Sequence, residues 1–277
     1  MLVYVNGQWL NDNEATISIL DRGFVFADAV YEVVRIYNGR YFYLDRHLQR
    51  LKQSLSALRI DVDVDSLEIV CRELLERNKT DQGSLYLQIS RGAAQRVHGL
   101  PQGLTPTVVA YVKGLSNLDT SLQESGGKAI FYEDTRWFMC NIKTVGLLIN
   151  CLAKGEALSQ GADDAIFHRG EIVTEATSSN IFIVKNGTLY THPNGNLILP
   201  GITRQVVIEL AHELQIPVEE KPFTREELLA ADELFLTGTM AEITPYVKVE
   251  GRTIGEGKPG CVTRRLQDAF SQLTRSL

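Results

Sequence analysis

The chain has 277 residues, 44% hydrophobic and 22% charged, which is globular composition and excludes a disordered tract or a fibre. With 28 basic against 34 acidic residues the net charge is −6 and no basic block occurs, so neither a nucleic-acid nor an anionic-membrane partner is expected. No apolar run approaches the roughly 18 residues of a membrane span, the start MLVYVNGQWL is not an export signal, and Cys71, Cys140, Cys151 and Cys261 show no paired spacing, so a soluble cytoplasmic protein with reduced thiols is expected.

Three Asn-Gly pairs sit between β-rich runs: Asn6-Gly7 after LVYV, Asn38-Gly39 between VVRIY and RYFYL, and Asn186-Gly187 between IFIV and TLYT. Each fits a two-residue hairpin turn, whose central positions both need positive φ. Antiparallel sheet is therefore expected in both halves, against a purely parallel doubly wound fold. After the second hairpin, Asp45 is expected to cap a helix with the stripe Leu48, Leu51, Leu55 and Leu58, and a second helix is expected over 65–78. Strands follow at SLYLQIS and TPTVVAYV. The Gly-, Ser- and Asn-rich segment 113–127 places a domain boundary. Residues 1–115 are expected to form a small N-terminal α/β domain, 116–127 a linker and 128–277 a larger C-terminal domain.

Beyond the linker come a strand at KAIFYE, a helix ending near Gln160, the strand-turn-strand unit DDAIFHRGEIVTEATSSNIFIV and the third hairpin. Helices are expected over 203–214, after the capping box Thr224-Arg-Glu-Glu227, and over 262–273, with a strand at ELFLTGT. The alternation of hairpins and helices reads as α+β in two unequal domains.

Chemistry concentrates at a few places. Lys143 interrupts the apolar run FMCNIKTVGLLINCL, and a buried ammonium there either becomes a usable amine or finds a partner. A lysine whose head reaches solvent is the competing reading. Glu175 ends a strand before four small residues, Ala176 to Ser179, which would let a flat ligand approach the backbone; a solvated loop glutamate is the alternative. Gly201-Ile202-Thr203 at a helix start and Thr237-Gly238-Thr239 at a strand end are shapes that bind phosphate, and Arg50 in HLQRL could add fixed charge. RGAAQRVHGLP presents Arg91, Arg96 and His98, a candidate carboxylate trap or an ordinary polar turn.

Gly255, Gly257 and Gly260 spell a dinucleotide-binding pattern but open no βαβ unit, and no metal-ligand spacing is found. An amine, a carboxylate, a phosphate cup with an arginine and a carboxylate trap together make the parts list for pyridoxal phosphate chemistry on an amino acid.

HLQRL, NIKTVGLLINCLAKGEA, VTEATSSNIF, LPGITR and LTGTMAEITP, five separated stretches spanning most of the chain, resemble the fold type IV pyridoxal phosphate enzymes. That group holds D-amino acid aminotransferases, branched-chain aminotransferases and aminodeoxychorismate lyases. RGAAQRVHGLP and DAVYEVVRIY are most similar to the D-amino acid aminotransferases. The resemblance implies a two-domain fold whose larger domain has an antiparallel, barrel-like sheet. It also implies ping-pong transfer of the amino group of a D-alanine-like D-amino acid to a 2-oxo acid.

The site residues follow from the same resemblance. It implies that Lys143 carries pyridoxal 5′-phosphate as a Schiff base, Glu175 meets the pyridine nitrogen, Leu199 backs the ring, and Arg50, Ile202, Thr203, Gly238 and Thr239 hold the phosphate. Tyr31, Arg96 and His98 would hold the substrate carboxylate, the last two from the partner subunit of a homodimer. A lyase forming 4-aminobenzoate and pyruvate, a branched-chain L-aminotransferase and an inactive cofactor-binding homodimer are the alternatives. The chain departs from the family pattern in FADA at 26–29, in Ala176-Thr177 for a more usual glycine-serine, and in Gly238 where serine is common. These changes bear on substrate breadth and cofactor affinity rather than on the reaction class.

Overall fold

In the computed structural model, which describes residues 1–115 and 120–277, the chain divides into two units. The first takes in Met1–Asn117, Ile142–Gly146 and Leu277, and the second Leu118–Asn141 and Leu147–Ser276. Residues 116–119, the start of the expected linker, lie outside the described residues.

The first unit is built from β1 (Leu2–Val5), β2 (Gln8–Asn11), α1 (Arg22–Phe26), β3 (Ala29–Tyr37), β4 (Arg40–Tyr41), α2 (Leu44–Leu58), α3 (Val64–Asn78), β5 (Gly83–Ser90) and β6 (Thr107–Gly114). Asn6-Gly7 and Asn38-Gly39 turn β1 into β2 and β3 into β4 with all four residues at positive φ, as their sequences require. The strands form an antiparallel sheet in the order β2-β1-β6-β5-β3-β4.

One face of that sheet carries Val30, Val34, Leu85, Leu87, Ile89 and Ala110, packed on Leu48, Leu51 and Leu55 of α2 and on Leu67, Cys71 and Leu74 of α3. Truncating Leu51 at this centre would cost about 2–5 kcal/mol. The expected cap of α2 is displaced: Tyr43, in the left-handed region with φ 52°, occupies the cap position without a side-chain bond. Asp45 lies in the first turn, where its charge favours the helix dipole. α3 starts one residue earlier than expected, because Asp63 accepts from the backbone N–H groups of Asp65 and Ser66.

The second unit contains α4 (Ser121–Ser125), β7 (Gly127–Glu133), α5 (Leu148–Ser159), β8 (Asp164–Arg169), β9 (Ile172–Ala176), β10 (Asn180–Lys185), β11 (Thr188–Thr191), α6 (Ile202–Glu213), β12 (Val218–Glu220), α7 (Arg225–Leu229), β13 (Glu233–Gly238), β14 (Glu242–Val249), β15 (Arg252–Thr253) and α8 (Cys261–Arg275). The strands form a mixed sheet in the order β12-β11-β10-β13-β14-β7-β8-β9, with β15 paired to β14. The pairs β11–β12, β14–β7 and β7–β8 are parallel. β9 at one end of that order returns against β10 through a tight turn in which Ala176 N–H donates to Ser179 O at 2.7 Å, so the sheet curls into a half-barrel.

Thr224 and Glu227 close the expected capping box of α7 at 3.1 and 2.7 Å. β14 escapes a sequence reading because Pro245 interrupts it, and proline argues against an inner strand. Its ladder with β7 shifts register just beyond, between Tyr246 and Lys248. The architecture is α+β with a small and a larger sheet. Among the described residues no helix is long and apolar enough to cross a membrane.

Candidate active site

In the first unit the segment carrying Lys143 lies along the start of β3. Tyr31 N–H donates to Lys143 O at 3.0 Å, Val145 N–H to Ala29 O at 3.2 Å, and Lys143 N–H to Ser54 Oγ at 3.3 Å. This fixes the backbone, and Lys143 Nζ stands 4.2 Å from the centroid of the Tyr31 ring. An ammonium over a ring face gains about 0.5–2 kcal/mol. Tyr31 in turn stacks on Tyr86, and Tyr86 on Tyr111, at 5.6 and 5.1 Å. The apolar run around Lys143 does not enclose it as expected: only Cys140 and Ile142 are buried, whereas Phe138 is 70% exposed and Leu147, Leu148 and Leu152 also face outward.

Arg50 is buried on α2 and forks onto a residue that sequence reasoning passed over, Glu32 of β3. Its Nε donates to Glu32 Oε1 at 2.8 Å and its Nη2 to Oε2 at 2.7 Å, while His47 Nδ1 lies 2.7 Å from Oε2. Burial works to raise the Glu32 carboxyl, but the charge of Arg50 and the bonds from Arg50 and His47 outweigh it and bring it down to about 2. Burial also lowers His47, with Glu32 opposing.

The candidate carboxylate trap divides. Arg91 is buried and belongs to the scaffold: it donates to both oxygens of Asp28 at 2.7 and 3.0 Å and to Leu58 O and Arg59 O at 2.6 and 3.0 Å. Arg22 completes the knot by donating to Asp28 at 2.8 Å and to Val97 O at 2.8 Å. Burial works to raise Asp28, yet Arg91 and Arg22 hold its carboxyl below the usual range. Arg96 and His98 flank the anchored Val97 and are exposed. They share the Phe26 ring as a contact, at 5.2 Å for the Arg96 guanidinium and 5.6 Å for the His98 ring.

In the second unit Glu175 is buried at the end of β9 and accepts from three donors. Arg136 Nη1 reaches Oε1 at 2.7 Å; Leu199 N–H and Asn180 Nδ2 reach Oε2 at 2.9 and 3.3 Å. Asn180 also donates to Leu199 O at 2.8 Å, which ties the Leu199 loop to the start of β10. Arg136 is itself held by Asp134 at 2.8 and 2.9 Å, and Asp134 takes Arg169 Nε at 3.2 Å and Thr174 Oγ1 at 3.1 Å. Burial pushes the Glu175 carboxyl up, and the Arg136 charge with the Leu199 N–H pulls against it. Sequence reasoning missed Arg136 and Asn180; the only signal was a charged pair, Asp134 and Arg136, just upstream of an apolar run.

The same unit supplies a cradle. Gly201 caps α6 without any side-chain bond, so the backbone N–H groups of Ile202 and Thr203 open the helix at its positive end. A Cβ at Gly201 would come within 2.1 Å of Asn180 Oδ1, so glycine is needed there, whereas one at Gly238 would meet only the end of the Ser179 side chain, at 2.9 Å. Thr237, paired with Asn180 across β10 and β13, has a buried hydroxyl with no partner. Thr203 is buried, and Thr239 and Leu199 are half-buried. A buried carboxylate that accepts from three donors, together with an uncapped helix start and an unpaired hydroxyl, fits a flat ring that carries an N–H at one end and a phosphate at the other.

The amino-transferase class IV family model matches residues 29–249. The chain is 43% identical to the D-alanine aminotransferase of Staphylococcus haemolyticus over 99% of its length and 98% of the relative's. It is also 43% identical to the D-alanine aminotransferase of Bacillus licheniformis, over 98% and 96%. Among solved structures, the branched-chain amino acid aminotransferase of Escherichia coli superposes with a TM-score of 0.92 at 30% identity, covering 99% of this chain and 94% of that one. The branched-chain amino acid aminotransferase of Thermobaculum terrenum, in its PLP-form, gives 0.87 at 28%, over 99% and 94%. A match over most of the length, with Lys143, Glu175 and the α6 cradle inside it, makes this chain a member of the amino-transferase class IV family.

Proposed function

We propose that the protein is a pyridoxal phosphate-dependent aminotransferase that moves the amino group of a small D-amino acid, such as D-alanine, to a 2-oxo acid by a ping-pong mechanism. The observation that carries this reading is the agreement, over essentially the whole chain, with relatives named D-alanine aminotransferase. Bound pyridoxal phosphate supplies the electron sink that makes a substrate Cα–H bond acidic.

Each residue then has a task. Lys143 Nζ carries the cofactor at rest and, once released, removes the proton from substrate Cα and later returns one there in the second half of the cycle. Glu175, held by Arg136 at 2.7 Å, would keep the proton on the ring nitrogen. The Ile202 and Thr203 N–H groups, the Thr203 and Thr239 hydroxyls, the backbone at Gly238 and the Arg50 guanidinium neutralise the phosphate, and Leu199 backs the ring.

Tyr31 is the carboxylate partner that lies beside Lys143. Arg96 and His98, exposed on their loop, are proposed to complete the trap in a second copy of the chain, which requires a homodimer. The proposed setting is the cytoplasm.

Purified protein given D-alanine and 2-oxoglutarate should yield pyruvate and glutamate, with little turnover of L-leucine and none of aminodeoxychorismate. Preferred turnover of L-leucine would instead favour the branched-chain reading that the solved structures suggest. Borohydride reduction with peptide mapping should place the cofactor on Lys143; a label on Lys154, which pairs with Asp164 at 3.4 Å, would overturn that assignment. Sedimentation should give a dimer.

A further inference from the structure

The inward face of β3 reads Val30, Glu32, Val34, Ile36, one carboxylate in an apolar row packed against α2. α2 answers with His47 and Arg50, three residues apart and so on one face, and all three side chains are buried. Replacing such a buried ionic group with well-packed apolar residues is often neutral or stabilising, so stability alone does not explain why ions rather than apolar side chains stand here. Its geometry is specific. The carboxylate takes Nε and Nη2 of Arg50 in a two-point fork at 2.8 and 2.7 Å, which sets both the rotamer and the plane of the guanidinium. His47 holds the second carboxylate oxygen at 2.7 Å.

The geometry points to Glu32 as a positioning residue that, steadied by His47, locks the Arg50 guanidinium in the orientation in which it receives the cofactor phosphate. This deepens the proposed function and rests on its assignment of Arg50 to the phosphate. A guanidinium held by a fork meets a phosphate with its orientation already set, and a loose one must lose side-chain freedom on binding. Glu32 itself touches neither substrate nor cofactor in this arrangement, so its effect should be confined to the phosphate-dependent part of cofactor affinity.

The test compares equilibrium binding of pyridoxal phosphate and of pyridoxal, which lacks the phosphate, to the full-length apoprotein by absorbance. Wild type, Glu32→Gln, Arg50→Ala and the double variant are titrated in parallel. In Glu32→Gln, pyridoxal phosphate affinity should fall about 10- to 100-fold while pyridoxal affinity stays within about twofold. The double variant should be no worse than Arg50→Ala alone, because the two act through one contact. If Arg50→Ala loses selectivity for the phosphate and Glu32→Gln keeps it, the positioning role is overturned and the phosphate role of Arg50 stands. If Arg50→Ala itself leaves the selectivity unchanged, the reading beneath the proposal fails, and the proposal with it. Equal loss for both ligands in Glu32→Gln would mean general damage and overturn the proposal as well. Should Glu32→Gln fail to fold, Glu32→Asp keeps the charge but withdraws the fork, and an unchanged selectivity there overturns it too.

Discussion

Arg136 and Glu175, 39 residues apart in the chain, meet at 2.7 Å as a buried ion pair, Nη1 to Oε1. Burial pushes Glu175 toward its neutral form, and the Arg136 charge is the largest pull against it. Arg136→Met should cost about 3–5 kcal/mol of stability at neutral pH by stranding that charge. The sign of its pH dependence follows from linkage. A carboxyl raised above its unfolded value contributes stability that is fully present below about 4.5 and lost as pH rises through the folded value. The variant's deficit should therefore shrink on acidification, measured as the difference in Tm from wild type across a pH series. A deficit that does not move with pH would assign the loss to packing of Arg136 on the Phe167 ring, 4.3 Å away.

Glu175→Gln removes the charge and keeps the shape. The single amide oxygen can keep either Arg136 or the Leu199 N–H but not both, while the phosphate cradle is untouched, so the cofactor should stay bound, read from its visible absorbance. An amide holds no proton on a ring nitrogen, and kcat with D-alanine should fall about 10²- to 10⁴-fold. An unchanged kcat would remove Glu175 from the mechanism.

Arg91 and Arg96 stand five positions apart in one loop and should respond oppositely to truncation. Arg96→Ala should raise KM for both the amino acid and the 2-oxo acid with little change in Tm, because an exposed guanidinium supports no core. Arg91→Ala should lower stability by about 1–3 kcal/mol, since it leaves two carbonyl groups unpaired and half-buried Asp28 with Arg22 alone. Steady-state kinetics beside thermal melts separate the two.

Gly201→Ala drives a methyl into Asn180 Oδ1, 2.1 Å from the ideal Cβ. Asn180 is the residue that ties Leu199 to Glu175, so the damage should reach the site as well as the fold. A loss of about 1–3 kcal/mol is expected from overpacking, with faster cofactor release on dialysis. Normal cofactor retention would show that the loop tolerates the shift.

Glu32 should set part of the acid limit. Its carboxyl is lowered from 4.5 to about 2, so its stabilisation is present above 4.5 and lost as pH falls toward 2, on the order of 3 kcal/mol. Urea denaturation of Glu32→Gln against wild type should show stabilities that converge as pH falls through that window. Parallel curves would mean that the pair with Arg50 contributes nothing to acid stability.

What the sequence determined by itself is what two to four neighbouring residues decide. Asn6-Gly7, Asn38-Gly39 and Asn186-Gly187 become hairpin turns because each pair accepts positive φ locally, and Thr224 finds Glu227 within its own first helical turn. The family resemblance also pointed to Lys143 and Glu175, since their flanking stretches are contiguous. Only the tertiary structure decided what those residues touch. Arg136 reaches Glu175, Arg50 and His47 reach Glu32, and Arg91 turns inward to Asp28 while Arg96 stays out, each through a fold that closes long loops of chain. The parallel pairing of β7 with β8 and β14 is decided in the same way. Such contacts carry no local signature, because a buried charge is tolerated only once a distant partner has been brought to it, and that partner is fixed by sheet order and helix packing rather than by the residues beside it.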